Sequence, residues 1–590
     1  MTGRIASVEL PQGGTITYSY TGGNHGIECA DGSAAGLTRT LTSQAGSAES
    51  TWTYARTTSR NNSQTSVEDG LSPSNKKTYN FILAAGALPS GPARYYETSR
   101  TIYQGAANGT PVLARTTCYN GSGTATPCTS TAFSLPISEI DTYETLNGIE
   151  THGSTVKYST YGAQTENDMY DFASGTTSRG NLLRKETWTY GGPFANLPTL
   201  DEVFDGTGTT VAGEIQYAYD GGSVTASSGV PQNVAVTGLR GNLTSETLFA
   251  TGNTSYKLSA TYEDTGSIVT SSAPTGTTTI SYDPTFVYST GASFPTPSSG
   301  VAIGTGFSFD TTYTGLPLTS VDPNSQTTTA HSYDSMLRLT EVDSPDRGKT
   351  NWTYTPNPAT MTTTIAQSST VNSVSEVQYD GYGRLSRSTV SNGQSTNPFY
   401  QQDVCYDGNG NACFISYQYQ GTGLGAGKVC SISGDTYTYD VLGLVTKIAW
   451  QTGETVTYAY LGRATKITDE NLVKRIVQID GLGRNTIVCE ISSNSLPGSG
   501  TPASCGTDIA CTGYATTYAY TLATGTTTVT QGKQTRTFVT DWLGRTISVT
   551  EPESGTTTYS YAYNSTGLVV TRTRPTANQT NASVTTTTTT

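Results

Sequence analysis

The chain has 590 residues and a formal net charge of −13, with 32 Lys and Arg against 45 Asp and Glu, so its field repels phosphate backbones and nucleic acid is not an expected partner. Only 13% of residues are charged, glycine reaches 64, and 38 tyrosines stand against 13 phenylalanines, a balance that belongs to β-surfaces made polar by Thr and Ser. No apolar run approaches the roughly 18 residues that a membrane-spanning helix needs.

Residues 3–20 form a first unit. From Gly3, Val8 lies at +5, Gly13 at +10, and Tyr18 and Tyr20 at +15 and +17, which reads as strand, turn, strand. The strand that the pattern places before Gly3 is missing, so this unit is expected to borrow one or to continue a longer product. No basic-then-apolar leader precedes it. A Gly-rich excursion over 21–37 carries His25 and Cys29, and strands are predicted at 51–54, 79–83, 94–103 and 112–119. Residues 1–135 thus hold the first repeats. Over 136–308 the units are longer and looser, with strand signals at 187–190, 215–219, 256–262 and 277–282, and with loops or edges at Pro284, Pro295 and Pro297. From 309 to 575 the units tighten, broken by a Gly/Pro/Ser-rich insertion at 492–512. The Thr-rich tail, 576–590, has nothing apolar to bury and is expected to be disordered or modified, with a β-forming Thr tract that pairs with a neighbour as the alternative.

The unit is clearest at Tyr437-Thr438-Tyr439-Asp440-Val441-Leu442-Gly443. In an extended chain both rings share one face and the threonines take the other. Asp440 can accept a backbone N–H two residues on, and Gly443 suits the positive φ that ends such a turn. The register then returns. Tyr458 and Tyr460 follow Gly443 at +15 and +17, Tyr559 and Tyr561 follow Gly544, and Tyr400 follows Gly383 at +17. At +10 stand Gly453, Gly393 and Ser554, and at +5 Ile448 and Val549, with Ser388 the exception. Self-similarity at a fixed period marks a repeat body rather than a set of separate folds. The expected architecture is all-β, an antiparallel hairpin array coiled as one sheet with tyrosines in cross-strand ladders.

Tyr379-Asp380-Gly381-Tyr382-Gly383-Arg384, Ile479-Asp480-Gly481-Leu482-Gly483-Arg484 and Thr540-Asp541-Trp542-Leu543-Gly544-Arg545 resemble the Tyr-Asp repeats of the RHS/YD-repeat family. The resemblance implies a long antiparallel sheet winding in a spiral, which in bacterial toxins forms a hollow shell and in teneurins a barrel on the cell surface. In the shell-forming members a core segment that closes the shell and often cleaves itself follows the repeats, then a variable toxin. Here Arg574 is followed by the Thr tail instead.

Cys118 and Cys128, Cys405 and Cys413, and Cys505 and Cys511 each bracket a Gly-rich or polar turn. These spacings predict three local disulfides and an oxidising, extracellular or cell-surface setting. Cys29, Cys430 and Cys489 have no evident partner, and nine cysteines leave at least one unpaired.

Nothing in the sequence assembles an active site, a metal site or a cofactor site. His25, His152 and His331 lie far apart without metal spacing, and no nucleophile elbow or Cys/His signature occurs. Asp407-Gly408-Asn409-Gly410-Asn411 spaces oxygen ligands like a calcium loop, but Ala412 stands in the glycine place and Gln418 in that of the bidentate Glu. The alternating glycines of 421–427 lack phosphate-loop order. Asp201/Glu202 and Glu551/Glu553 read as solvated turn or strand-end residues. The expected protein is therefore a non-enzymatic structural protein of the cell exterior, self-associating head to tail into a fibre or wall. The alternatives are a wall segment of a toxin-encapsulating shell, with an enclosed polypeptide as partner, and an adhesin whose exposed tyrosines stack on glycans.

Overall fold

Threonine alternating with tyrosine or an aliphatic residue favours extended backbone with two unlike faces, and that alternation builds nearly the whole molecule. The computed structural model describes residues 5–589 apart from 21–26, 29–33, 36, 43–47, 60–61, 72, 85–94, 106–108, 122–132, 228–229, 231–237, 250–254, 298–299, 313, 357–358, 369–370, 394–397, 422, 426, 497–499, 565–566 and 576–582. Among the described residues forty-four strands join in one antiparallel sheet, and Ile27–Glu28 pairs with Ala34–Ala35 in a second, two-stranded one. The only helical element among the described residues is a 3-10 turn at Leu522–Thr524. The all-β expectation holds.

Each strand pairs mainly with its sequence neighbours, from Ser7–Glu9 with Thr15–Ser19 to Gly567–Pro575 with Ser583–Thr589. In Gly434–Tyr439 the threonines Thr436 and Thr438 are exposed while Tyr437 and Tyr439 are half-buried, as the two-residue period requires. The Thr tract, expected to be disordered or to pair as a strand, supplies the strand Ser583–Thr589. β-Branched residues gain little from a core but fit a pleated, half-exposed edge.

Little of the chain is buried. The apolar core among the described residues reduces to two small clusters, one around Ile476 and Cys489 and one around Ile82 and Phe133. The accessible surface is 32012 Å², against about 20,000 Å² for a compact monomer of this mass.

The sheet curls back on itself, because hairpin tips of its second half dock on tips and edges of its first half. Asn409 Nδ2 donates to Asp69 Oδ2 across 340 positions, and Val441 N donates to Gln104 Oε1 across 337. Gly462 N reaches Asn147 Oδ1 across 315 positions, and Gly481 N reaches Asp171 Oδ1 across 310. The regular offset defines one circuit of a spiral with strands running along its axis. From Leu182–Tyr190 to Lys474–Ile479 the circuit holds 24 strands, which at about 4.8 Å each gives a circumference of roughly 115 Å and roughly 37 Å between opposite backbones.

Candidate functional site

The repeated tip comes first, since every larger feature is assembled from it. At Asp480 the main chain closes a turn, with Gly483 N donating to Asp480 O at 2.9 Å and Asp480 N to Arg484 O at 2.9 Å. The carboxylate then accepts Leu482 N at 2.9 Å and Arg484 N at 3.0 Å on Oδ1, and Arg484 Nε at 2.8 Å on Oδ2. Asp380 and Asp541 repeat the pattern with Arg384 and Arg545. Asp440 does so with backbone amides alone, since Leu444 stands in the arginine place. Gly383, Gly443, Gly483 and Gly544 have φ of 78, 80, 76 and 76°, a region closed to most other residues. The calcium-like run is one more such turn: Asp407 Oδ1 accepts Asn409 N and Asn411 N, each at 2.9 Å.

The tyrosines are fastened differently from the ring-on-ring ladder expected for them. Tyr460 OH donates to Val445 O at 2.7 Å, Tyr561 OH to Thr546 O at 2.8 Å and Tyr20 OH to Ile5 O at 2.9 Å. For Tyr460 and Tyr561 the acceptor lies two residues after the turn glycine, Gly443 or Gly544. Their inner neighbours Tyr18, Tyr458 and Tyr559 sit opposite Arg39, Ile467 and Arg572. The turn arginine adds a second fastening by stacking on a tyrosine of a following strand: Arg484 over Tyr520 at 4.3 Å and Arg545 over Tyr561 at 4.5 Å. Where the turn carries an arginine, as at Asp480 and Asp541, Asp, Gly, Arg and Tyr thus form one clamp. The Tyr–carbonyl bond was not read from the sequence; the +17 spacing marks it at Tyr460 and Tyr561, but after Gly383 the bond to Leu385 O comes from Tyr406 and not from Tyr400.

Where the circuits meet, the seam is tight. A Cβ on Gly213 would lie 2.0 Å from Trp542 Cδ2, and one on Gly481 would lie 2.3 Å from Tyr170 O. One seam contact is acidic. Glu150 Oε1 accepts Arg463 N at 2.8 Å, Asp508 Oδ2 accepts the same N–H at 3.0 Å, and Arg463 Nε lies 3.3 Å from Glu150 Oε2. Burial, then hydrogen bonding with Asp508, pushes the Glu150 carboxyl up to about 7. This site joins both circuits to the 492–512 insertion.

A cleft of 490 Å³ opens where the face bearing Arg39, Trp52, Tyr54 and Tyr79 meets Asn409 and Val441 of the second circuit. Arg39 stacks over Trp52 at 4.3 Å. Its polar rim is already engaged, since Asp69 takes Asn75 N at 2.9 Å, Asn75 Nδ2 at 2.8 Å and Asn409 Nδ2 at 3.2 Å.

Two expected disulfides are replaced by others. Cys405 bonds Cys430, not Cys413. Phe414 stands opposite Cys405 and Ala412 opposite Tyr406, so Cys413 is the extra residue of a bulge. Cys505 bonds Cys489, not Cys511. Cys505 N donates to Cys511 O at 3.2 Å, so the two are joined through the backbone while the loop between them packs on Cys489. Cys118 is disulfide-bonded, and Cys128, its expected partner, lies outside the described residues. His25 lies outside them too. His152 packs on Phe172 with centroids 4.4 Å apart, and burial lowers its pKa.

No protein-family model and no curated protein matches this chain. Solved structures do. It is similar to TcdB2-TccC3-Cdc42, with a TM-score of 0.64 at 9% identity over 98% of this chain and 43% of that one. For TcdB2-TccC3-TEV the values are 0.63, 9%, 98% and 43%. For TcdB2-TccC3 they are 0.63, 10%, 98% and 41%. The likeness is one of fold. The chain spans about two fifths of the length of those chains, and no helix among the described residues is long and apolar enough to cross a membrane.

Proposed function

We propose that this chain is a wall segment of a hollow shell of the RHS type, whose lumen holds a polypeptide. The observation that carries the reading is the seam: contacts at offsets of 340 to 310 residues turn an open sheet into stacked circuits, with only two small apolar clusters among the described residues. The fold shared with TcdB2-TccC3 chains supports it. Under this reading the wall is structural and non-catalytic, it needs no cofactor, and its disulfides suit a protein that acts outside the cell. The head-to-tail fibre expected from the sequence is less well supported, because the fold shared with TcdB2-TccC3 chains offers no observation in its favour.

Appending a flexible peptide with a single protease site after Thr590 tests the proposal. Enclosure predicts that this site is cut markedly more slowly than in the free peptide, and that cutting reaches the free rate once the wall is unfolded. Equal rates before and after unfolding would contradict it.

A further inference from the structure

Two sulfurs of the 492–512 insertion stand together with one of the strand Asn485–Ile491. Cys489, Cys505 and Cys511 have all their Sγ atoms within 4.8 Å of one another. Cys489 bonds Cys505, and Cys511 Sγ lies 3.0 Å from Cys489 Sγ. We propose that the three form a thiol–disulfide exchange centre, in which Cys511 attacks Cys489 and the insertion is tied to the wall by either of two interchangeable disulfides.

Topology presents two candidates to one partner. Ser504 stands opposite Thr512, and Cys505 N donates to Cys511 O, so Cys505 and Cys511 are the two facing ends of a short loop. Both sit in the cluster formed around Cys489 and Ile476, with Ile491, Ile509 and Ala515 packed against it. Cys489 is fully buried at 0% exposure and Cys505 is 7% exposed. A thiol from solution has no route to Cys489, whereas Cys511, half-buried at the mouth of the cluster, is already in contact with it. Thr507 Oγ1, which donates its proton to Ile509 O at 2.8 Å, lies 3.3 Å from Cys511 Sγ and can accept the thiol proton.

The step is electron-neutral. The Cys511 thiol gives its proton to solvent, and its thiolate attacks Cys489 Sγ. The Cys489–Cys511 bond forms as the Cys489–Cys505 bond breaks, and Cys505 leaves as a thiolate that takes up a proton. No external oxidant or reductant takes part. The choice of bond sets which end of the loop is anchored, and that loop carries Asp508 to Arg463 and Glu150 at the seam. Cys413 is an internal control. Its sulfur lies 3.5 Å from the carbonyl oxygen of Cys405 and sits on a bulge beside the Cys405–Cys430 bond.

The test is disulfide mapping of the full chain purified without reductant, quenched in acid and alkylated. Cleavage after Glu490 and before Asp508 puts the three cysteines on separate peptides. The proposal predicts both Cys489–Cys505 and Cys489–Cys511 peptides in the unsubstituted protein, the minor form at about a tenth or more of the total. Cys505→Ser is expected to give Cys489–Cys511, Cys511→Ser to give Cys489–Cys505 alone, and Cys413 to stay an alkylated thiol throughout. A single Cys489–Cys505 linkage in the unsubstituted protein would overturn the proposal. So would a Cys505→Ser protein with native circular dichroism and both remaining cysteines free, or a chain that holds one zinc ion on all three thiolates in place of any disulfide.

Discussion

Asp480 shows how much one side chain fixes in this protein. Its carboxylate holds two backbone amides and one guanidinium and is 4% exposed, so removing it strands three donors at once. Asp480→Ala is expected to cost about 1.5–3 kcal/mol locally, read as faster hydrogen exchange at the amides of Leu482 and Arg484. Unchanged protection there would show that the backbone turn suffices alone. Tyr460→Phe deletes only the bond to Val445 O and should cost about 0.5–1.5 kcal/mol, measured by denaturant unfolding. Glu150, although it faces Arg463, titrates in the opposite sense to an acid whose pKa is depressed, because burial outweighs the guanidinium. Its carboxyl is raised from 4.5 to about 7 in the folded chain, so the folded state keeps a proton that the unfolded state releases. Its contribution is complete below the unfolded value and is lost as pH rises through the folded one. Melting temperatures of the native chain and of Glu150→Gln, taken between about pH 5 and pH 8, should therefore diverge, with the variant less sensitive to alkali. Parallel curves would exclude Glu150 as the titrating group.

At the scale of the hairpin, Asp-x-x-Gly turns and Tyr-x-Tyr strands were legible because all their determinants lie within about twenty residues, where a repeat period can be read directly. Disulfide partners were not. Cys413 falls on a bulge that no composition reveals, and Cys489 meets Cys505 only because the insertion folds back over the strand Asn485–Ile491. The Thr tail could be read two ways: low hydrophobicity argues for disorder, yet threonine suits an edge strand that needs no core, and the structure shows the strand. The seam is the element least visible in sequence, since its pairs lie more than three hundred positions apart and use backbone amides that any residue supplies. Gly481→Val brings a side chain against Tyr170 O, which a Cβ would approach to 2.3 Å. Overpacking of this kind costs about 1–3 kcal/mol. The expected result is faster exchange at Asp171 and Gly481 with the hairpins on either side still protected. Exchange unchanged at both positions would mean that the circuits are held together elsewhere.

For the whole molecule, an accessible surface of 32012 Å² and a sparse apolar core place stability in ladders and clamps rather than in a packed interior. Such a body gains or loses order hairpin by hairpin, as repeat proteins do. The spiral was legible as an expectation of the repeat pattern and of the RHS resemblance, but the length of a circuit was not, because it follows from how strand twist and tip contacts accumulate over about 24 strands. Cryo-electron microscopy of the purified 590-residue chain examines that arrangement directly. A curved wall one strand-layer thick, coiled about a solvent-filled lumen with roughly 37 Å between opposite backbones, is the expected image. Density filling the centre, a flat sheet, or an end-to-end filament of chains would contradict it.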